Sequence, residues 1–220
     1  MNKPLVVCEA AGRTFGHGRV AVVAVHDATG TVDDDSRIAL VGPSGSGKST
    51  LLHLMAGLDT PTSGSISWPA WESGPFRDPS RAGVVFQGLS LIPSLTAAEN
   101  VAFPLLLQGL SHEQAVARAI ESLDLLGIAA LAEKVPEELS GGQAQRVAVA
   151  RVVTSRPQLI FVDEPTGQLD RASGGRVVDV LLEAADHLHA GLVLSTHDAT
   201  VAGRLDVVWR MHDGELVGAA

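Results

Sequence analysis

Three short stretches of this chain carry groups suited to handling phosphate. Gly42–Ser49 (GPSGSGKS) has the spacing of a glycine-rich phosphate loop. Its glycines Gly42, Gly45 and Gly47, with Pro43, Ser44 and Ser46 between them, let the backbone curl so that successive N–H groups point inward at phosphate oxygens. Lys48 supplies a full positive charge, the Ser49 hydroxyl can ligate Mg²⁺, and Thr50 follows at the start of a helix whose N-terminus adds a partial charge of about half a unit. The second stretch, Leu159–Glu164 (LIFVDE), is an apolar run ending in adjacent carboxylates. Asp163 fits as an acceptor for water on Mg²⁺, and Glu164 as the general base that polarises an attacking water. Two neighbouring carboxylates repel without a cation, which implies the metal. The third, Leu139–Arg146 (LSGGQAQR), sets Ser140 before a helix as a cap, with Gly141, Gly142 and Gln143 leaving backbone N–H groups uncovered. That is an anion-binding end with no nucleotide of its own to hold. Each stretch alone has a plainer reading as a glycine turn, a strand end or a capped helix. Together they favour phosphate chemistry.

These residues need an α/β scaffold. Apolar runs predict strands at 20–25, 37–41, 84–86, 159–162, 192–195 and 207–211. Periodicity and stop signals predict helices over 49–58, 97–108, 112–126, 143–155 and 171–189. Asp213 and Gly214 supply a hairpin turn near the end. Strands alternating with helices give a mostly parallel sheet, the core of a P-loop NTPase, with a small antiparallel β lobe. The helices between Ala97 and Leu126 break the alternation and form an inserted α-helical lobe, at about 90–140, within a single domain spanning 1–220. The stretch 62–79, rich in Pro, Gly, Ser and Trp, shows no sustained period.

Composition narrows the possibilities. A net charge of −9 argues against a sequence-independent grip on nucleic acid, which needs clustered Lys and Arg, and no nucleic-acid partner is expected. No run approaches the ~18 to 20 apolar residues of a membrane span, and no signal peptide is expected. One cysteine, Cys8, excludes an internal disulfide framework and fits a small buried hydrophobe in a reducing cytosol. The triplet Asp33–Asp35 reads as a solvated turn between strands.

The phosphate loop and the octapeptide Leu139–Arg146 together resemble the ATP-binding cassette family, whose active site is shared between two subunits. Within it, Val84–Val101 is similar to the ATP-binding subunits of lipoprotein-releasing and macrolide-exporting systems. The resemblance implies ATP and Mg²⁺ as cofactors, and a head-to-tail homodimer in which Ser140, Gly141, Gly142 and Gln143 close over nucleotide held by the opposite chain. It implies that Gln87 senses Mg²⁺, that His197 contacts the γ-phosphate and positions Glu164, and that Asp170 communicates across the dimer. Phe15 stands near the place of the tyrosine on which adenine stacks; this chain has no tyrosine. The stretch 65–82 is shorter than usual and carries Trp68 and Trp71, and Gln168 stands where a small residue or asparagine is more common.

The function so implied is that of an ATPase subunit, peripheral on the inner face of the cell membrane, that powers a separate transmembrane permease. Leu89, Leu91, Ile92 and Leu95 are expected either to dock that permease or to pack internally. A regulatory ATPase signalling through a membrane protein without transport is the alternative, and a soluble cassette of translation or DNA repair a weaker one.

Overall fold

The computed structural model describes residues 3–71, 74–75, 78–88, 90–167 and 169–218. Its nine strands form one curled sheet in the order β4-β1-β2-β9-β8-β3-β7-β6-β5. β3 (Arg37–Val41), β7 (Gly191–Thr196), β6 (Leu159–Asp163) and β5 (Ala82–Val85) pair in parallel, and β8 (Val207–His212) joins β3 from the other side. β6 and β7 are buried along their whole length, which is why they read as unbroken apolar runs. β1 (Val6–Phe15) pairs antiparallel with β2 (Val22–Val32) and with the edge strand β4 (Ser63–Ser67), giving the expected antiparallel lobe. Asp213 and Gly214 both take positive φ, 48° and 87°, and turn β8 back into β9 (Glu215–Val217) as anticipated.

Helices cover both faces. α1 (Lys48–Met55) packs with β1 and β2 over one face, where Leu40, Leu51, Leu52, Met55 and Phe161 are fully buried. On the other face lie α2 (Ala97–Leu107), α3 (His112–Leu125), α4 (Gly141–Val153) and α5 (Arg171–Leu188), which share a core with Ile160, Val162, Leu192 and Leu194. A short helix, α6 (Ala199–Ala202), precedes β8. Capping boxes start α2 at Thr96 and Glu99, α3 at Ser111 and Gln114, and α4 at Ser140 and Gln143. Among the described residues, no helix is long and apolar enough to cross a membrane.

Several boundaries differ from the sequence reading for identifiable reasons. The strand expected over 20–25 begins at Val22 and runs on to Val32, because Asp27 at φ 50° lets the ladder continue past the polar pair His26 and Asp27. A 3₁₀ turn at Gly18–Val20 occupies the start of the expected run. β4 went unrecognised: its sequence SGSIS is almost wholly exposed and has no apolar alternation to betray a strand. α1 ends three residues early, at Met55, ahead of Gly57 in the left-handed region at φ 71°. α4 starts at Gly141 rather than Gln143, since Ser140 already serves as its cap. Cys8 is buried and free, and burial pushes its thiol up to about 12, so it is an inert core residue.

The short stretch after β4 is built on its tryptophans. Trp68 Nε1 donates to the Met55 carbonyl at the end of α1, 2.8 Å away, and its ring lies against Gly57 and Gly74. Trp71 Nε1 reaches the exposed side chain of Gln158 at 3.0 Å. Trp68→Phe leaves the Met55 carbonyl without that donor and is expected to lower the unfolding free energy by about 1 kcal/mol in urea titration. Trp71→Phe, whose partner can turn to water, is expected to cost less; equal losses would mean that Trp68 contributes ring packing and no hydrogen bond of consequence.

Candidate active site

The phosphate loop follows β3 and closes tightly at two glycines. A Cβ on Gly42 would collide with the Met211 carbonyl, and one on Gly47, at φ 98°, with the Ala24 carbonyl. Lys48 is 4% exposed; its ammonium donates to the Gly42 and Pro43 carbonyls at 2.9 and 3.0 Å and lies 3.3 Å from Glu164 Oε1. The Ser46 hydroxyl is buried and finds no hydrogen-bond partner among the described residues. A buried cation, an orphaned hydroxyl and inward-curled backbone fit a phosphate group. The cleft beside them, about 270 Å³, is lined by Ala24, Ser44, Gly45, Gly47, Lys48, Ser49, Thr50, Gln87 and Glu164.

The carboxylates arrive from β6. Asp163 is 5% exposed, and its Oδ1 accepts hydrogen bonds from Ser49 Oγ at 2.9 Å and Ser195 Oγ at 2.6 Å. One hydroxyl and one carboxylate side by side suit Mg²⁺, which usually takes few protein ligands and completes its shell with water and substrate phosphate. Glu164 turns the chain at φ 41° and projects its side chain into the cleft. Around it gather Lys48 on Oε1, and on Oε2 the Gln87 amide at 3.4 Å and His197 Nδ1 at 3.5 Å. The sequence-predicted Lys48, Ser49, Gln87, Asp163, Glu164 and His197 thus converge on one place.

The octapeptide does not join them. Ser140 Oγ accepts the Gln143 N–H at 3.3 Å and the Gln143 side chain accepts the Ser140 N–H at 2.8 Å, as a cap should. Gly141 and Gly142 lie against Leu169 and Ser173, and neither lines the cleft at the phosphate loop. Leu169 and Ser173 flank Asp170, which is the N-cap of α5, accepting N–H bonds from Ala172 and Ser173 at 3.0 Å each. The hydrogen bonds from Ser173 hold its carboxyl below the ordinary aspartate range. That capping role is an addition to the expectation made for Asp170.

Phe15 is 44% exposed, as a stacking platform must be, but Arg13 covers one face, its guanidinium carbon 4.7 Å from the ring centre. Leu91 is partly buried against the helical core, and the Asn100 side chain holds the backbone of Ile92, Leu95 and Thr96, while the side chains of Ile92 and Leu95 stay partly exposed. Leu89 and Gln168 lie outside the described residues. The sequence reading missed Ser195, whose signal was a lone hydroxyl at the end of a buried apolar run.

Comparison with known proteins agrees with this geometry. The family model described as ABC transporter matches residues 25–167. The lipoprotein-releasing system ATP-binding protein LolD of Legionella pneumophila (strain Paris) is 38% identical, with 98% of each chain covered. LolD of Shewanella denitrificans is 37% identical over 96% of this chain and 94% of its own. Among solved structures, the ATP-binding cassette MJ0796, a dimer in a post-hydrolysis state with ADP and Pi, is 32% identical, covers 97% of both chains and superposes with a TM-score of 0.86. CbiO1 from Clostridium perfringens, part of a cbiONQ ABC transporter complex, is 26% identical with a TM-score of 0.85 over 98% of this chain and 87% of its own. The chain belongs to the ABC transporter family, as one of its ATP-binding cassettes.

Proposed function

We propose that this ATPase drives the release of a lipid-anchored protein from a membrane through a separate permease, and that its catalytic unit is a head-to-tail homodimer. The chain is an ATP-hydrolysing subunit that powers a membrane transporter. The cargo class is suggested by the LolD relatives, named for lipoprotein release, which match nearly its full length. The same kinship favours transport over signalling without transport, and a peripheral position on the cytoplasmic face of the membrane.

One observation supports the division of labour at the site: Glu164 is the common neighbour of Lys48, Gln87 and His197 at the phosphate loop. In this reading Gly42–Thr50 bind the nucleotide phosphates, and Ser49, Gln87 and Asp163 face Mg²⁺. Glu164 takes a proton from the attacking water, with His197 and Gln87 holding its carboxylate in place. Phe15 supports the base. Ser140, Gly141, Gly142 and Gln143, capped and exposed away from their own cleft, complete the site of the partner chain, and Asp170 lies at that seam.

Glu164→Gln removes the base but keeps the shape. It is expected to bind ATP as the parent does, to turn over at least about a hundredfold more slowly, and to elute as an ATP-dependent dimer in size exclusion. Wild-type turnover in this variant would exclude Glu164 as the base. Lys48→Ala deletes the cation that meets the phosphates and is expected to lose ATP binding in calorimetry; retained affinity would overturn the phosphate-loop assignment. For the cargo, the Glu164→Gln chain recovered with ATP from detergent-solubilised host membranes is expected to bring a multispan permease. The parent chain with the same permease in proteoliposomes should release a lipoprotein, and release of only small solutes would reject the proposed cargo.

A further inference from the structure

Ser195 is 0% exposed near the C-terminal end of β7, directly after the fully buried Leu192, Val193 and Leu194. A hydroxyl in such a place is costly unless its hydrogen bonds are made. Both kinds are made. Its oxygen accepts the backbone N–H of Glu164 at 3.0 Å, and its proton goes to Asp163 Oδ1 at 2.6 Å. With the oxygen receiving the amide, the hydroxyl proton is left to point at the carboxylate, and the relay runs in one direction from amide to hydroxyl to carboxylate.

We propose that Ser195 is a positioning residue that locks the metal-facing carboxylate of Asp163 and the backbone of Glu164 into one arrangement. The proposal rests on the roles given to Asp163 and Glu164 above. On the carboxylate side, Oδ1 carries both hydroxyl bonds, from Ser49 and Ser195. A turn of the carboxylate would break a short charge-assisted bond, so Oδ2 keeps a fixed direction for water on the metal. On the backbone side, Glu164 sits at φ 41°, a region that residues with a side chain seldom occupy. Its N–H is shared between the Ser195 carbonyl at 3.1 Å and the Ser195 hydroxyl at 3.0 Å, so one residue holds the amide from which the base departs. Hydrogen-bonding partners outside a metal's ligand set typically carry about 10- to 100-fold in metal affinity or activity, and Ser195, one bond further out than Asp163, is expected at the low end of that range.

A purely space-filling serine predicts something different, and substitution separates the two. Ser195→Ala removes the hydroxyl, Ser195→Cys keeps the size with a much poorer donor, and Ser195→Thr restores the hydroxyl. ATP affinity of the full chain is measured by calorimetry in EDTA and in Mg²⁺, alongside kcat and KM. The Ala and Cys variants are expected to bind ATP in EDTA like the parent, to lose about tenfold of the Mg²⁺-dependent gain in affinity, and to show kcat about tenfold lower at similar KM. The Thr variant is expected to recover both. Ala and Cys variants that keep the parental gain and kcat would overturn the proposal, as would a Cys variant matching the parent while Ala fails, since size alone would then explain the site. A parent chain with no Mg²⁺-dependent gain would instead refute the metal-facing role of Asp163 on which the proposal rests.

Discussion

The placement of β7 between β3 and β6 is the constraint on which the active site depends. Val41 pairs with Thr196 on one side of β7, and Asp163 pairs with Ser195 on the other. All three strands run the same way, so the loops that follow them leave the sheet at one edge, where ligands bind in open α/β sheets. The first loop carries Lys48 and Ser49, the second Asp163 and Glu164, the third His197. A one-residue slip of β7 would turn its side chains to the opposite faces and remove Ser195 from Asp163. With β6 and β7 buried on both faces, what resists the slip is the fit of their side chains against the helices on either side, which a one-residue shift would disrupt.

Charge at this edge is arranged locally and owes nothing to the protein as a whole. The chain carries a net charge of −9, yet its nucleotide is strongly anionic. In the proposed reading what attracts it is short-range: backbone N–H groups of the loop, the α1 N-terminus and the ammonium of Lys48. The same ammonium lies 3.3 Å from Glu164 Oε1, so the buried cation has an opposite charge beside it. Because the attraction comes from fixed dipoles and one buried charge, it is less exposed to screening by salt than a basic surface patch would be.

Much of this was legible in the sequence because the site is built from contiguous stretches. Residues 42–49 and 159–164 each carry several functional groups on a strand end, and strand ends in a parallel sheet are brought together by topology alone. His197 and Gln87 could be placed only through resemblance, since a lone histidine or glutamine carries no spacing signal of its own. Ser195 escaped because its importance is a matter of register: only the pairing of β6 with β7 sets it opposite Asp163. β4 escaped for the opposite reason, being an edge strand held by backbone bonds to β1 with no apolar face to pattern its sequence. The path of the chain at 91–96 was not legible because it hangs on one residue: the Asn100 side chain holds three backbone carbonyls and one backbone amide there, bonds that composition cannot reveal.

The octapeptide lies apart from the phosphate loop, yet α4 ties it mechanically to the base. At its start, Gly141 and Gly142 lie close against Leu169 and Ser173, so that a side chain there would press on them, which packs α4 against the Asp170 loop. Near its end, Arg151 donates to the Ser90 carbonyl at 2.6 Å and also to the Ser90 hydroxyl, holding the segment that follows Gln87. Burial in turn lowers the pKa of that guanidinium, the cost of anchoring a loop with a buried charge. A helix of 13 residues spans about 20 Å and does not bend without breaking its own bonds. Both loops it grips run close to the same carboxylate, one through Gln87, whose amide donates to Glu164, and the other through Gly167, which lies beside Gln87 and Glu164. In the proposed dimer, a group meeting the start of α4 would therefore bear on the Asp170 loop and the Ser90 segment together.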